Sequence, residues 1–229
     1  MRLCPMRNPI LRPIGFVSLA LLCVVFSGCR LMHPSEAFIG PSFEPKNVFL
    51  ASSALPADVK RVAVLPLTAD KRIAALRDGC EILAPVLNSE LIKTRRFEVE
   101  RINPEAARLA TGRAEWTGEE ALPDDFFQKL RDASGCDAVM FCQLTAFRAY
   151  APLAVGWRMK LVDARSRQIL WSADEIFDAG EETVRNGARR YQIEQLQSVR
   201  SDGQWLVENA PRYFGQYTIA TLFETLPSR

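Results

Sequence analysis

Four carboxylates lie close together near the middle of the chain: Glu119, Glu120, Asp124 and Asp125. Two carboxyl groups a few ångströms apart can serve as the general acid and the nucleophile or base of a glycosidase. Acids that directly precede a helix also interact favourably with the positive end of its dipole. Because a helix is predicted immediately after this cluster, we favour the capping role and keep a hydrolase acting through Glu119 or Asp124 as the alternative.

Histidine is almost absent, since the only one is His33, close to the N-terminus. Zinc sites and general-base catalysis rely heavily on histidine. The sequence also lacks a CxxC pair, a GxSxG motif, a phosphate-binding loop and a dinucleotide fingerprint. We therefore predict a protein that is not an enzyme, with no catalytic residue, no metal and no cofactor.

The overall composition fits one globular domain with appendages. The chain has 229 residues, of which 48% are hydrophobic and 24% charged, and its formal net charge is +2. A nucleic-acid-binding domain of this size normally carries a strongly basic surface. Nucleic acid is therefore excluded as a partner.

Residues 1–28 have the organisation of a secretory signal peptide. Three arginines and no acid accompany an apolar run of thirteen residues from Ile14 to Phe26. A membrane-spanning helix needs about 20 apolar residues, whereas the central segment of a signal peptide is shorter. An uncleaved N-terminal membrane helix is the alternative. Removal of this segment leaves 26 basic residues against 27 acidic ones, so the basic excess belongs to the signal.

The residues that follow the apolar run are Phe26, Ser27, Gly28 and Cys29. They resemble the lipobox of bacterial lipoproteins, with Phe26 in place of the usual aliphatic residue. The resemblance implies cleavage between Gly28 and Cys29 and acylation of Cys29, which would anchor the chain in a lipid bilayer. Two or more acyl chains give durable membrane attachment. By the bacterial sorting rule, Arg30 after the cysteine implies the outer membrane, facing the periplasm.

Residues 29–60 are predicted to be the lipidated N-terminus and a flexible linker, because four prolines and four serines interrupt any periodicity. His33 is expected to be a solvated residue of this linker. The folded domain is predicted to occupy residues 61–229.

The first half of that domain predicts a parallel crossover. Arg61 to Leu67 is a β-branched run that is apolar on both faces, which is typical of a central strand. Apolar residues then recur at steps of three and four from Ile73 to Leu91, as in an amphipathic helix. Phe97 to Arg101 alternates as a short strand. Short helices are expected at 104–110 and 123–133.

The second half predicts an antiparallel meander followed by two helices. Three alternating strands are expected at 137–150, 155–162 and 168–177, and the helices at 181–196 and 210–226. The predicted fold class is therefore α/β. It is a single three-layer-like domain with a mixed sheet, a parallel crossover followed by an antiparallel meander, flanked by helices.

Several strings in this order resemble one family: RVAVLPL, FEVER, SGCDAVMFCQLTAF and MKLVDARSRQILW. Together they are similar to the TolB N-terminal-like and CsgG-like group of bacterial envelope lipoproteins, over about residues 60–225. Cys136, Ser166 and Arg167 depart from the usual residues of the group. The resemblance implies an envelope lipoprotein that binds other envelope proteins in a transport, secretion or cell-wall complex, with a homo-oligomer left open.

A secretion pore is a further alternative, but the sequence disfavours it. A transmembrane strand needs about 9 to 11 alternating residues. The long alternating insertions from which the curli channel builds its barrel are absent, and every predicted strand belongs to the core sheet. A cell-envelope hydrolase also remains an alternative.

Three cysteines fall in the predicted domain: Cys80, Cys136 and Cys142. Cys136 and Cys142 are separated by about 20 Å of extended strand, which is too far for a disulfide. Cys80 could pair with either of them in an oxidising compartment. Unpaired cysteines that pack as small hydrophobic residues are the preferred interpretation.

Aromatic residues in weakly patterned segments are the candidate interaction residues: Trp116, Trp205 and Tyr213. Aromatic side chains of this kind often anchor interfaces. Core packing is the equally weighted alternative for each. The basic set Arg185, Arg189 and Arg190 is expected to form a solvated helix face paired with Glu181, Glu182 and Glu194.

Overall fold

A six-stranded mixed sheet forms the centre of the protein. The structure is a computed structural model and describes residues 39–196 and 205–229. The predicted signal peptide, the lipid-attachment residue Cys29 and His33 lie outside these residues.

The strands are β1 (Val48–Leu50), β2 (Arg61–Val64), β3 (Glu98–Arg101), β4 (Ala138–Arg148), β5 (Ala154–Asp163) and β6 (Ile169–Asp178), in the sheet order β1-β6-β5-β4-β2-β3. Six helices are found in the described residues: α1 (Ala74–Lys93), α2 (Pro104–Thr111), α3 (Phe126–Ser134), α4 (Glu182–Gln195), α5 (Leu206–Asn209) and α6 (Pro211–Glu224). The predicted α/β class with a mixed sheet is confirmed.

The parallel half of the sheet is formed by β2 with β3 on one side and β4 on the other. Val62, Ala63 and Val64 of β2 are all buried, as their β-branched and apolar side chains on both faces predict. The chain leaves β2 through α1 and returns to β3, which is the predicted crossover.

The antiparallel half is the predicted meander of β4, β5 and β6. Its register places Phe141 opposite Lys160, and Lys160 opposite Ser172. Directly paired residues share a face of the sheet, so these three side chains lie on one face. Met140, Leu161 and Trp171 form the equivalent row on the other face.

Residues 39–60, which the sequence assigned to the flexible linker, lie against the domain instead. Val48–Leu50 pairs antiparallel with β6 and becomes an edge strand. Phe43 packs on Phe177 with ring centroids 4.9 Å apart, and Leu55 and Val59 are buried. The prolines in this segment prevent helix formation, but the apolar residues between them are buried against the domain. This burial stabilises the docked segment relative to a solvated linker.

Helices cover the two faces of the sheet unequally. On the first face, here called the covered face, α1, α4 and α6 enclose a large core that includes Trp157, Trp171 and Phe177. On the second, here called the half-covered face, α2 and α3 enclose a smaller core around Phe126 and Phe141. The smaller core involves β2 and β4 and reaches only the end of β5, at Val162.

Two helices end at glycines. Gly112 and Gly135 adopt the left-handed conformation directly after α2 and α3, with φ of 87° and 65°. Glycine adopts this conformation without the steric penalty that a Cβ causes. At the start of α2, the Asn103 side chain accepts a hydrogen bond from the Ala106 N–H at 2.8 Å, and Pro104 occupies the first turn.

Candidate functional site

Three of the four central carboxylates, those of Glu119, Glu120 and Asp125, are held by nearby donors. Glu119 accepts from Lys160 at 2.9 Å, and Glu120 accepts from Arg113 and from the Thr117 N–H, each at 2.7 Å. The hydrogen bond from Lys160 lowers the pKa of Glu119. For Glu120, partial burial raises the pKa, but the hydrogen bonds from Thr117 and Arg113 outweigh it, so that this pKa is lowered as well. A glycosidase acid needs a raised pKa, so neither group is suited to that role.

The two aspartates of this cluster have structural neighbours as well. Asp125 forms an ion pair with Lys129 at 2.8 Å, one turn further along α3. The main-chain oxygen of Asp124 accepts from Arg167 at 2.9 Å. Asp125 stands at the N-cap of α3, but its side chain makes no capping hydrogen bond, and the first turn of α3 contains no acidic residue. The hydrogen-bonded capping that the sequence favoured is therefore not found, and the cluster instead joins segments of the domain.

Trp116 is a core residue. Only 4% of it is exposed, its indole N–H donates to the Thr111 hydroxyl at 2.7 Å, and its ring meets Phe126 edge-on at 5.0 Å. The Arg113 guanidinium lies 4.2 Å from the ring centroid and covers the indole. This burial removes Trp116 from the predicted interaction residues, because the weakly patterned segment around it folds onto the half-covered face.

Trp205 and Tyr213 are half-buried. Trp205 directly precedes α5, and the Arg189 guanidinium lies 5.5 Å from the centroid of its ring. Tyr213 packs against the core of the covered face. Each side chain is thus partly used in packing, and each keeps some surface that a partner could contact.

The three arginines of α4 fasten different segments to the helix. Arg185 donates to the Ala179 and Gly180 carbonyls at 3.0 and 2.7 Å, and Arg189 pairs with Glu208 of α5. Arg190 donates to the Ser42 hydroxyl at 3.1 Å and to the Gly40 carbonyl at 3.2 Å. The predicted pairing with Glu181, Glu182 and Glu194 along the helix is wrong, because these chain segments offer nearer acceptors.

The three described cysteines are unpaired. Cys136 belongs to the core of the half-covered face, whereas Cys80 and Cys142 belong to that of the covered face, so the sheet separates Cys136 from Cys80. Burial raises the pKa of Cys80 to about 11 and that of Cys142 to about 12. Thiols with such pKa values are weak nucleophiles, and they pack here as small apolar groups.

A cavity of about 580 Å³ opens on the covered face where the C-terminal ends of α1, α4 and α6 meet. The lining from these helices and the residue after α1 runs from near the middle of α4 and α6 to their ends: Glu90, Lys93 and Thr94; Gly187, Arg190, Tyr191, Glu194 and Gln195; Tyr217, Ala220, Thr221, Phe223 and Glu224. Ser42, Phe43 and Glu44 complete one wall. We name this space the helix-end cavity.

One glutamate of the helix-end cavity is satisfied within the protein. Glu90 is buried and accepts from Lys93 at 2.6 Å and from Gln216 at 2.9 Å. Glu194 and Glu224 have no hydrogen bond or ion pair within the described ranges 39–196 and 205–229. Partial burial, together with the charge of Glu194, raises the pKa of Glu224.

Tyr217 contributes a buried hydroxyl to the same cavity. The residue is 3% exposed, and its hydroxyl makes no hydrogen bond of normal geometry in the described part of the chain. Burial raises its pKa, Thr221 opposes the rise, and the Glu224 carboxylate adds to it. The hydroxyl also faces Gly187 of α4 so closely that a Cβ at Gly187 would clash with it.

The uncovered part of the half-covered face carries two exposed apolar side chains. Phe49 of β1 and Ile176 of β6 are 51% and 57% exposed. Between them Arg158 and Asp174 form an ion pair at 2.7 Å, and Ser172 lies opposite Phe49. We name this surface, formed by Phe49, Arg158, Ser172, Asp174 and Ile176, the open face.

Sequence reasoning missed the central residues of both sites. Phe49 was assigned to the linker, and the alternation of β6 did not mark Ile176 as exposed, because polar and apolar residues mix on that side of the strand. Glu194 was interpreted as an ion-pair partner of the arginines. The one available signal was that α4 and α6 have no basic residue in the last turn, where cations are usual.

The described residues contain no group of three or more histidine, cysteine or acidic side chains arranged to hold a metal ion. Within the same residues, no helix combines the length and the apolar character needed to cross a bilayer.

No protein-family model matches this sequence, and no curated protein sequence matches it. Some solved structures are similar to it at a low level. Lipoprotein GNA1162 from Neisseria meningitidis is 17% identical with a TM-score of 0.36, over 52% of this chain and 79% of that one. The PelC dodecamer from Paraburkholderia phytofirmans is 17% identical with a TM-score of 0.39, over 80% of this chain and 98% of that one.

TolB from Acinetobacter baumannii is likewise 17% identical, with a TM-score of 0.33, over 68% of this chain and 32% of that one. Likeness at this level assigns neither a family nor a function to the chain.

Proposed function

We propose that this protein is a bacterial lipoprotein of the TolB N-terminal-like and CsgG-like group. It is anchored in the outer membrane through Cys29, and its domain acts as a non-enzymatic binding or assembly component of an envelope complex. The Phe26, Ser27, Gly28 and Cys29 sequence after a short apolar run supports the anchor. The partners are the bilayer and other envelope proteins in transport, secretion or cell-wall assembly.

The observation that carries the binding role is the open face. Exposed apolar side chains are common singly on protein surfaces. Here Phe49 and Ile176 lie together on one side of one sheet, on the part that α2 and α3 leave uncovered. A protein interface typically combines an apolar anchor with polar and charged neighbours. The open face has this composition.

The composition favours a protein over a bilayer as the occupant of the open face. Arg158 and Asp174 lie between the two apolar residues, with their side chains 41% and 38% exposed. Insertion into lipid would remove both charges from water, at a cost of several kcal/mol. A partner protein can instead hydrogen-bond the pair at its rim, so we assign the open face to another envelope protein.

The anchor is tested by replacing the acylated residue. Cys29→Ala is expected to abolish incorporation of a fatty-acid analogue and to release the protein from the membrane fraction. Cys80→Ala is the matched control, because Cys80 packs against the core of the domain. This variant should leave labelling unchanged. Labelling that persists in the Cys29→Ala protein would contradict the anchor.

The open face is tested by site-specific photocrosslinking in intact cells. A photoreactive residue at position 176 should give a discrete crosslink to another envelope protein, and Phe49→Glu in the same chain should abolish it. The control position is Ile92 on α1, which is 56% exposed and lies away from the open face. Equal crosslinking from position 92, or a crosslink that survives Phe49→Glu, argues against the proposal. A crosslink to a second copy would replace the partner by a homo-oligomer.

A further inference from the structure

The two outer strands of the sheet differ in how their free edges are protected. The described sheet ends at β1 on one side and at β3 on the other. Edge strands normally carry charged residues, prolines or bulges that prevent pairing with another chain. β3 follows this rule with the sequence Glu-Val-Glu-Arg, whereas β1 is Val-Phe-Leu. Both strands are short, so length does not distinguish them, and β1 is the edge that its side chains leave unprotected.

The backbone of β1 offers donors and acceptors on its free side. The Asn47 carbonyl and the Ala51 N–H are each bonded to β6 at 3.1 Å. In an antiparallel ladder every second residue bonds to the neighbouring strand, so Phe49 belongs to the same set. The N–H and C=O groups of Val48 and Leu50 therefore point away from β6, to the side on which the described sheet has no further strand.

We propose that β1 pairs antiparallel with β1 of a second copy of this chain, about a two-fold axis at Phe49. In this register Val48 lies opposite Leu50 of the second copy on each side of the axis. Each such pair exchanges both of its N–H···O bonds. The two Phe49 residues form the central pair, which is not hydrogen-bonded and has its Cα atoms about 4.5 Å apart. The outward backbone groups of Val48 and Leu50 are all satisfied in this arrangement.

The side chains of β1 are complementary to themselves in the same register. Phe49 and Leu50 are 51% and 46% exposed, and Val48 is half-buried. Pairing brings Phe49 against Phe49 on the open face and Leu50 against Val48 on the covered face, so that only apolar side chains meet. Cross-strand pairs of aromatic and aliphatic side chains stabilise a sheet. A second copy thus covers the apolar surface that one copy leaves exposed along this edge.

The same operation at β3 brings like charges together. The Glu98 and Ile102 N–H groups bond to the β2 side at 2.8 and 3.0 Å, so Val99 and Arg101 face outward. Pairing these two residues about a two-fold axis places Glu100 directly opposite Glu100 of the second copy. Like charges that are directly opposite destabilise a strand pair. The chain therefore favours self-pairing at β1 over self-pairing at β3.

The pairing at β1 is separate from the partner proposed for the open face. It uses the edge of the strand and leaves Arg158, Asp174 and Ile176 of each copy accessible. The contact is small, and interfaces that bury less than about 1,200 Å² are typically weak or transient. We therefore expect a weak dimer whose fraction rises with protein concentration.

Disulfide trapping of the full chain in non-ionic detergent tests the register. Phe49→Cys should give a linked dimer on oxidation, because a disulfide needs Cα atoms within about 7 Å. Asn47→Cys lies on the same face of the same strand but about 14 Å from its copy, and should give about tenfold less dimer. A mixture of the Asn47→Cys and Ala51→Cys proteins should restore trapping, since these positions lie opposite each other. The parent chain, with its native cysteines, sets the background.

Two blocking variants, each combined with Phe49→Cys, test the edge itself. Leu50→Pro removes an outward N–H, and proline is tolerated on an edge strand whose N–H faces solvent. Leu50→Lys keeps the backbone and places a charge in the apolar contact. Both should lower trapping about tenfold, and thermal unfolding checks that each variant is folded. Equal trapping at positions 47 and 49, no dimer from Phe49→Cys, or trapping that survives both blocking variants overturns the proposal.

The photocrosslink from position 176 separates this proposal from the one for the open face. It should persist in Leu50→Pro, because the open face does not need the edge of β1. Loss of that crosslink in Leu50→Pro, with no dimer from Phe49→Cys, would assign the edge to the partner protein and exclude the second copy. Trapping that succeeds where the crosslink from position 176 fails supports the dimer and removes only the open-face assignment.

Discussion

The two faces of the sheet differ in how completely helices cover them. On the covered face, Trp157, Trp171 and Phe177 of the meander are fully buried under α4 and α6. On the half-covered face, Phe49 and Ile176 of the same sheet remain more than half exposed. The difference arises because α2 and α3 extend over β2 and β4 and leave β6 and β1 uncovered.

This comparison separates residues that fold the protein from residues that are free to bind. A fully buried aromatic side chain contributes several kcal/mol to stability. An apolar side chain that stays exposed contributes little, so its presence on the open face needs another reason. Variants that contrast the two faces test this division.

The sharpest test uses two adjacent residues of β6 that point to opposite faces. Phe177→Ala should lower the free energy of unfolding by about 3 to 5 kcal/mol, because it leaves a cavity in the core. Ile176→Ala should change it by less than about 0.5 kcal/mol. Urea denaturation of both variants measures the two values. A cost above about 2 kcal/mol for Ile176→Ala would mean that the open face is part of the core.

A second contrast uses two glycines. A Cβ at Gly79 of α1 would lie 2.6 to 2.9 Å from side-chain atoms of Phe147 and Leu144, whereas a Cβ at Gly118 would meet Lys160 at 3.4 Å. Gly79→Ala should therefore lower stability by about 1 to 2 kcal/mol despite its better helix propensity. Gly118→Ala should be close to neutral. Similar costs at both sites, measured by thermal unfolding, would show that the two faces are packed equally tightly.

A third prediction concerns residues 117–121, the segment that Lys160 holds on the half-covered face. Lys160 donates to the Gly118 carbonyl at 2.7 Å and to Glu119 at 2.9 Å. Lys160→Met keeps the stem and should cost about 1 kcal/mol, since it removes a charged hydrogen bond. Amide hydrogen exchange should accelerate at residues 117–121. In the control Lys129→Met, which breaks the exposed pair with Asp125, exchange of this segment should not change.

The smallest effect is a pH-dependent one at the helix-end cavity. The pKa of Glu224 is raised above 4.5, so the folded state binds this proton more tightly and stability falls as pH rises from 4.5 through the folded pKa. Glu224→Gln removes this loss. The variant should be more stable than the parent by about 0.5 kcal/mol at neutral pH. The difference should disappear below 4.5, and its persistence in urea melts at that acidity would contradict the assignment.

The sequence predicts the elements of this fold where periodicity is strong. The run from Arg61, the stripe along α1 and the three long strands of the meander are all found at the expected positions. In each, the apolar pattern and the burial agree, so local and tertiary preferences point the same way. The short strand β1 has no such pattern, because three residues between prolines become a strand only through pairing with β6.

The candidate sites are less predictable because they depend on packing between distant segments. The helix-end cavity needs α1, α4 and α6 to end at one place, and nothing in the local sequence of Glu194 or Tyr217 specifies that meeting. Trp116 shows the opposite case. Its weakly patterned surroundings left an interaction role and core packing equally weighted, and contacts with Phe126 and Arg113 bury it.

The docking of residues 39–60 on the domain changes how far the protein can search for a partner. With Cys29 as the proposed anchor, ten residues of chain lead to Ile39 and span at most about 35 Å, against about 110 Å for a free linker as far as residue 61. Because accessible volume scales with the cube of reach, the shorter connection confines the domain to a volume about 30 times smaller. A membrane-attached partner therefore meets this domain at a correspondingly higher effective concentration.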